Sequence, residues 1–243
     1  MFFSFQAIGR ESGQTEITTD DGIEVFNKEK YYLLKTNVKI TSDEYELSAD
    51  SVKAYFNKDL YDIIRISSDG NVKLNSSKGI KASGEKIDFD IINEDLQIFG
   101  KNSILVNNEL NMISDKEIKV NNKKGDFIIN GPNSRLKSNK IDISAYLIKG
   151  KFTQVEKTNE VELLDVQDKT QINIKTETLD MYALRAKYDR KNNIIELFDN
   201  VKIHRENESI SGNYAKINTL TESYKVTSKK SEKVKVLLNK TDE

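Results

Sequence analysis

The sequence predicts an all-β fold: a long, twisted, two-layered stack of antiparallel strands around an elongated apolar interior. Three observations predict it. Apolar and polar residues alternate with a period of two along most of the 243 residues, the mark of half-buried strands. A strand–bend–strand–turn unit recurs at roughly 30 to 40 residues, the range of repeat architectures. Pro132 is the single proline, and no Gly/Ser-rich linker divides the chain, so the usual signs of a domain boundary are missing.

Taken in order, the segment from Glu16 to Phe26 reads as a first, acidic strand. Asn37-Val38-Lys39-Ile40 opens the repeat. Tyr45, Leu47 and Ala49 then alternate with Glu46, Ser48 and Asp50, and Val52, Ala54 and Phe56 continue after a slip of phase. Asn57-Lys58-Asp59 reads as a turn, because Asn and Asp bond their own backbone and tolerate left-handed dihedrals. Leu60 to Ile66 leads back to Asn71-Val72-Lys73-Leu74, the second copy. Ile87, Phe89 and Ile91 alternate with Asp88 and Asp90, Asn93-Glu94-Asp95 turns, and Leu96 to Phe99 follows.

Weaker echoes come at Asn102-Ser103-Ile104, Asn133-Ser134-Arg135-Leu136 and Asn159-Glu160-Val161-Glu162-Leu163. The stretch from about Ser103 to Lys175 lacks the Gly-Asn-Val pattern. Ile172 and Ile174 resume the alternation, Lys191-Asn192-Asn193 turns, and Ile194 to Phe198 leads to Asn200-Val201-Lys202-Ile203. The last segment, Tyr224 to Leu238, reads as a basic strand carrying Lys229, Lys230, Lys233 and Lys235. Each unit has one apolar face that it cannot bury alone, so units must stack. The stack would leave an edge at each end, with Ile17, Ile23 and Val25 on the first and Tyr224, Val226, Val234 and Val236 on the last. Acidic against basic edges suit head-to-tail pairing; solubilising charge on ordinary edge strands is the alternative.

The counts exclude several chemistries. With no Cys there is no disulfide, thiol nucleophile or Cys-based metal site. One histidine, His204, cannot form a two-imidazole site. A net charge of −1 argues against nucleic acid as partner. No phosphate loop, dinucleotide fingerprint or hydrolase triad is present, so no cofactor or metal is expected. The carboxylate pairs Asp20 and Asp21, Asp43 and Glu44, and Asp88 and Asp90 read as solvated faces in a chain with 39 acids, rather than a glycosidase pair. No apolar run reaches the ~18 residues of a membrane-spanning helix. The start, Met1-Phe2-Phe3-Ser4-Phe5-Gln6-Ala7-Ile8-Gly9, reads as a tail, a first strand or the remnant of a secretory signal. The expected organisation is a tail over 1–14, one elongated body over 15–239, as one block or two tandem blocks, and a tail over 240–243.

Ala186-Lys187-Tyr188-Asp189, then Asn193 through Ile203, then Ile210-Ser211-Gly212-Asn213-Tyr214-Ala215 resemble the OstA-like repeat. So do Leu47-Ser48-Ala49-Asp50-Ser51-Val52 and Ile64-Arg65-Ile66 through Gly70-Asn71-Val72-Lys73-Leu74. This is the family of LptA, the periplasmic component of lipopolysaccharide transport, with the LptC ectodomain and the N-terminal region of LptD. The likeness covers about Ile17 to Leu238. It implies a β-jelly-roll of stacked antiparallel strands, open along one side, whose apolar groove holds lipopolysaccharide acyl chains. It also implies periplasmic location, head-to-tail self-association, and partners like LptC at the inner membrane and LptD at the outer.

The groove-lining candidates are Val38, Ile40, Val72, Leu74, Ile87, Phe89, Ile104, Val161, Leu163, Val201 and Ile203, and no catalytic residue is expected. Two other readings stand beside this one: a structural solenoid-like module with a closed core, and an enzyme acting on polysaccharide.

Overall fold

In a computed structural model, residues 12–58, 62–107, 110–155 and 158–238 are described. The tail over 240–243, most of the one over 1–14 and Leu60 lie outside them. The described residues form twenty strands in one hydrogen-bonded network, every pairing antiparallel, with no helix among them. They are β1 (Glu16–Thr18), β2 (Ile23–Phe26), β3 (Tyr31–Thr41), β4 (Tyr45–Phe56), β5 (Ile63–Ser76), β6 (Ile80–Asp90), β7 (Asp95–Phe99), β8 (Ser103–Asn107), β9 (Leu110–Ser114) and β10 (Glu117–Asn121). Then follow β11 (Asp126–Asn130), β12 (Arg135–Lys137), β13 (Asp142–Ser144), β14 (Leu147–Val155), β15 (Thr158–Lys175), β16 (Asp180–Asp189), β17 (Ile194–Arg205), β18 (Glu208–Asn218), β19 (Ser223–Thr227) and β20 (Lys235–Leu238).

The long strands bend near their middles and so belong to two layers. Residues 31–35 of β3 pair with 51–55 of β4, while 38–41 pair with 46–49, and the register shifts between Lys35 and Val38. The same shift recurs between Asp69 and Val72 in β5, Gln167 and Ile172 in β15, and Phe198 and Val201 in β17. In the centre of the molecule the bend splits the strand outright, into β7 and β8, β10 and β9, β11 and β12, and β14 and β13. One layer therefore runs from β2 through the outer halves of β3 to β6, then β7, β10, β11 and β14, to β19. The other runs from β1 through the inner halves, then β8, β9, β12 and β13, to β20. The two layers meet along the line of bends. The hairpin turns of both layers lie on the opposite long side, which gives the open-sided jelly-roll.

Why the chain bends where it does is visible in the backbone. Asn37, Asn71, Asn102, Asn133 and Asn200 all hold left-handed φ values of 49° to 56°, which asparagine tolerates better than other side-chain-bearing residues. The recurrent asparagine is thus the bend itself. Its side chain also stitches neighbouring bends: the Asn37 amide donates to Asp20 (2.6 Å), Asn71 to Asp50 (2.9 Å) and Asn133 to Asp115 (2.6 Å). The aspartate of Ala49-Asp50 is the acceptor of the Asn71 stitch. Gly100 is needed for its φ of +108° and because a Cβ there would lie 2.5 Å from the Glu85 side chain.

Three expectations are corrected. The first and last segments are not single strands; each is bent into a piece in either layer, β1 with β2 and β19 with β20. The central stretch keeps its bend signature in the form Gly100-Lys101-Asn102-Ser103 and Gly131-Pro132-Asn133-Ser134. Ser103 and Ser134 donate to the carbonyls of Gly100 and Gly131, each at 2.8 Å. Asn159 is not a bend but part of β15. The bend of that strand lies around Asp168, whose carboxylate accepts from the backbone N–H of Thr170 at 2.8 Å and from the Thr170 hydroxyl at 2.7 Å.

Candidate lipid-binding interior

Each layer turns one continuous row of side chains inward, apolar at every place but one, because antiparallel register keeps one face in phase from strand to strand. In the first layer the row runs Leu34, Val52, Ser68, Ile87, Ile98, Ile118, Ile129, Ile148, Val166, Ala186, Leu197 and Ala215. Every member of it is buried. In the second layer the row runs Ile40, Leu47, Leu74, Ala82, Leu105, Met112, Leu136, Ile143, Ile174, Met181 and Ile203. The two rows join one hydrophobic core. Nearer the hairpins a further row of the first layer includes Ile66, Phe89, Leu96, Tyr188 and Tyr224, all only half-buried.

The interior is packed. Ile98, Ile118, Ile129, Leu136, Ile143, Ile148 and Ile172 are each 0% exposed, so side chains fill the space between the layers over this central part. A depression of about 510 Å³ lined by Ile194, Tyr214, Lys216 and Lys225 among others lies by β19, not in that space. On the hairpin side, backbone hydrogen bonds join neighbouring turns of one layer, as Asn122 to Glu94 and Ser77 to Glu44. Among the described residues none joins the two layers there. That side is held by side chains alone: packing along most of its length, and near the last strands the Tyr224 hydroxyl donating to the Glu208 carboxylate at 3.1 Å and the Arg205–Glu222 ion pair at 3.6 Å.

The groove candidates divide as follows. Val38, Ile40, Val72, Val201 and Ile203 are buried and inward in the second layer, and Ile87 and Val161 in the first. Leu74 and Phe89 are inward and half-buried. Two candidates face the wrong way for a groove. Ile104 lies between the buried Ser103 and Leu105, so alternation puts it on the outer face. Leu163 is 40% exposed and pairs with Lys151, because a bulge between Lys151 and Phe152 inverts the phase after Val161. Its neighbour Leu164 takes the inward place.

The edge candidates all lie at the ends of the stack. Ile17 on β1, Ile23 and Val25 on β2, and Val236 on β20 extend the inward rows by one rung beyond the last covered strand. Each is 43% to 50% exposed for that reason. Val234, just before β20, is 40% exposed. Tyr224 and Val226 on β19 are half-buried against the core.

The acids serve turns, bends and ion pairs on the outside. Asp88 faces Arg65 at 3.4 Å and Lys86 at 3.5 Å. Asp90 accepts from the backbone and side chain of Asn93, which holds its carboxyl below the usual range. Asp115 is held low in the same way, by the Asn102 backbone and the Asn133 amide. The buried polar residues among the described residues are five serines, of which Ser67 faces outward beside Lys53 and Asp88; nothing in the sequence marks any of them as buried. His204 stacks edge-on against Tyr182 with ring centroids 5.7 Å apart. No group of His, Cys, Asp and Glu able to hold a metal occurs among the described residues.

A family model described as LptA/(LptD N-terminal domain) LPS transport protein matches residues 16–126 and again 124–223. The chain belongs to this family. Its family is one of transport proteins rather than enzymes, and membership places it in lipopolysaccharide transport. The two matches meet at the β10–β11 hairpin, where Asn121 pairs with Asp126 and the stack continues without a break. Among solved structures, the chain is similar to the crystal structure of LptH, the LptA homologous periplasmic component of the conserved lipopolysaccharide transport device from Pseudomonas aeruginosa. Identity is 12%, the TM-score is 0.45, and the likeness covers 54% of this chain and 95% of that one. No curated protein matches the chain.

Proposed function

We propose that the protein is a periplasmic bridge that shelters lipopolysaccharide acyl chains between its two layers and passes them along the stack. The observation that carries this reading is the pair of inward rows, apolar at every rung but Ser68, running from one exposed end of the molecule to the other and flanked by a side without backbone closure. Acyl chains enter from the hairpin side, where Phe89 and Leu96 are half-exposed, and part the layers. Each methylene removed from water contributes about 0.8 kcal/mol, so several chains can displace weaker side-chain contacts. Rows of Ile, Val and Leu offer no fixed anchor, so a chain can slide from rung to rung. Supply would come from an LptC-like inner-membrane component and delivery would go to an LptD-like outer-membrane one. Copies would join end to end through Ile17, Ile23 and Val25 of one and Val234 and Val236 of the next. The double family match supports two tandem blocks in one continuous stack over 15–239.

A photo-crosslinking residue at Phe89 or Ile203 tests this directly: capture of lipopolysaccharide is expected. No capture at any inward position would sink the carrier reading. The packed interior favours a second reading, a structural module with a permanently closed core. That reading expects no lipid capture and no change in exposure of Ile66 or Phe89 on adding lipopolysaccharide.

A further inference from the structure

One inward position breaks the first layer's row. Ser68 lies between Val52 and Ile87, its antiparallel partners, and is 0% exposed. The other members of that row within the stack are Ala, Val, Leu or Ile. The three buried serines beside the bends have acceptors: Ser103 and Ser134 donate to backbone carbonyls, and Ser114 donates to the carbonyl of Asn130 at 2.8 Å. Ser68 Oγ has no hydrogen-bond partner. A buried hydroxyl without a partner is unfavourable, and alanine would fill the same place without that cost. Nothing in the strand geometry calls for serine here: the backbone is extended, and the left-handed residues of this bend are Gly70 and Asn71.

We infer that Ser68 is a hydrogen-bonding station for a polar substituent on an aliphatic chain held between the layers. This rests on the carrier reading above and deepens it. The ligand class is an acyl chain bearing a hydroxyl or carbonyl along its length. The serine hydroxyl donates to that oxygen, or accepts from its O–H, in surroundings where no water competes. An otherwise slippery row then has one place at which a substituted chain dwells and an unsubstituted one does not.

The test uses the full chain, wild type and Ser68→Ala, with displacement of a fluorescent fatty acid by stearate and by a positional series of hydroxystearates. One net hydrogen bond corresponds to about a 2- to 10-fold preference. Wild type should prefer one hydroxyl position over stearate by that factor, and Ser68→Ala should lose the preference while binding stearate as before. The melting temperature of Ser68→Ala should equal or exceed that of wild type. The same ratio in both proteins at every position, or a clear fall in melting temperature, overturns the assignment of Ser68 and leaves the carrier reading standing. Failure of wild type to bind any of the chains overturns both.

Discussion

Truncating one side chain at the centre of the stack measures how tightly the layers are shut. Ile129 is 0% exposed and sits between Ile118 and Ile148 in the inward row. Ile129→Ala removes three carbon groups from that place. At about 0.8 kcal/mol each the transfer term is about 2.4 kcal/mol, and the cavity that remains brings the loss to about 3 to 4 kcal/mol. The matched control is Ile128→Ala one residue away, half-buried on the outer face, where the loss should stay near 1 kcal/mol. Urea unfolding of both variants, with midpoints compared at equal slope, reads the difference. The reasoning is refuted if Ile129→Ala costs no more than Ile128→Ala. That result would mean the layers stand apart in solution and that the row is wetted rather than packed.

Other outcomes follow from the bends, the outer face and the ends. Asn71→Ala should lower stability by about 1 to 2 kcal/mol, since alanine resists a φ of 49°, whereas Asn71→Gly should cost less; thermal melts distinguish them. The Tyr214 phenol is hydrogen-bonded to the Glu196 carboxylate, which pushes its pKa up to about 12. The folded state therefore holds that proton more tightly than the unfolded one. The associated stability is present below pH 10 and fades as pH climbs toward 12, and in Tyr214→Phe that part of the alkaline loss should be absent from a stability–pH profile. The paired variants Ile17→Lys and Val236→Lys should each lower concentration-dependent light scattering without shifting the melting temperature by more than a degree or two. Unchanged scattering in both would exclude the end strands as the joining surfaces.

Much of this architecture is legible in the chain. The alternation around Val38, Ile40, Leu47 and Val52 gives the correct inner face, and the slip of phase after Ala49 marks the bend between Ser48 and Ser51. The recurring asparagine carries its own physics, because few residues accept a left-handed φ. What stays hidden are changes of face that have no compositional sign. A bulge opposite Phe152 moves Leu163 outward and Leu164 inward, and both are leucine, so hydropathy cannot tell them apart. The bend at Asp168 uses a carboxylate where its counterparts use asparagine, and so escapes a search for the repeated letter. Ser68 is missed because serine alone does not say which way it points; only register against Val52 and Ile87 does.

The line of bends has a mechanical consequence. There the covalent chain crosses from layer to layer in every rung, and Asn–Asp bonds tie several rungs to their neighbours. The opposite margin has only side chains touching. The molecule is thus like a bound volume, stiff at the spine and loose at the fore-edge. Opening it changes the angle between the covers but not the distance between successive pages, which backbone hydrogen bonds fix at ~4.8 Å. On the proposed carrier reading, its reach would therefore be the same loaded or empty, and cargo could vary in bulk without altering the gap the stack spans.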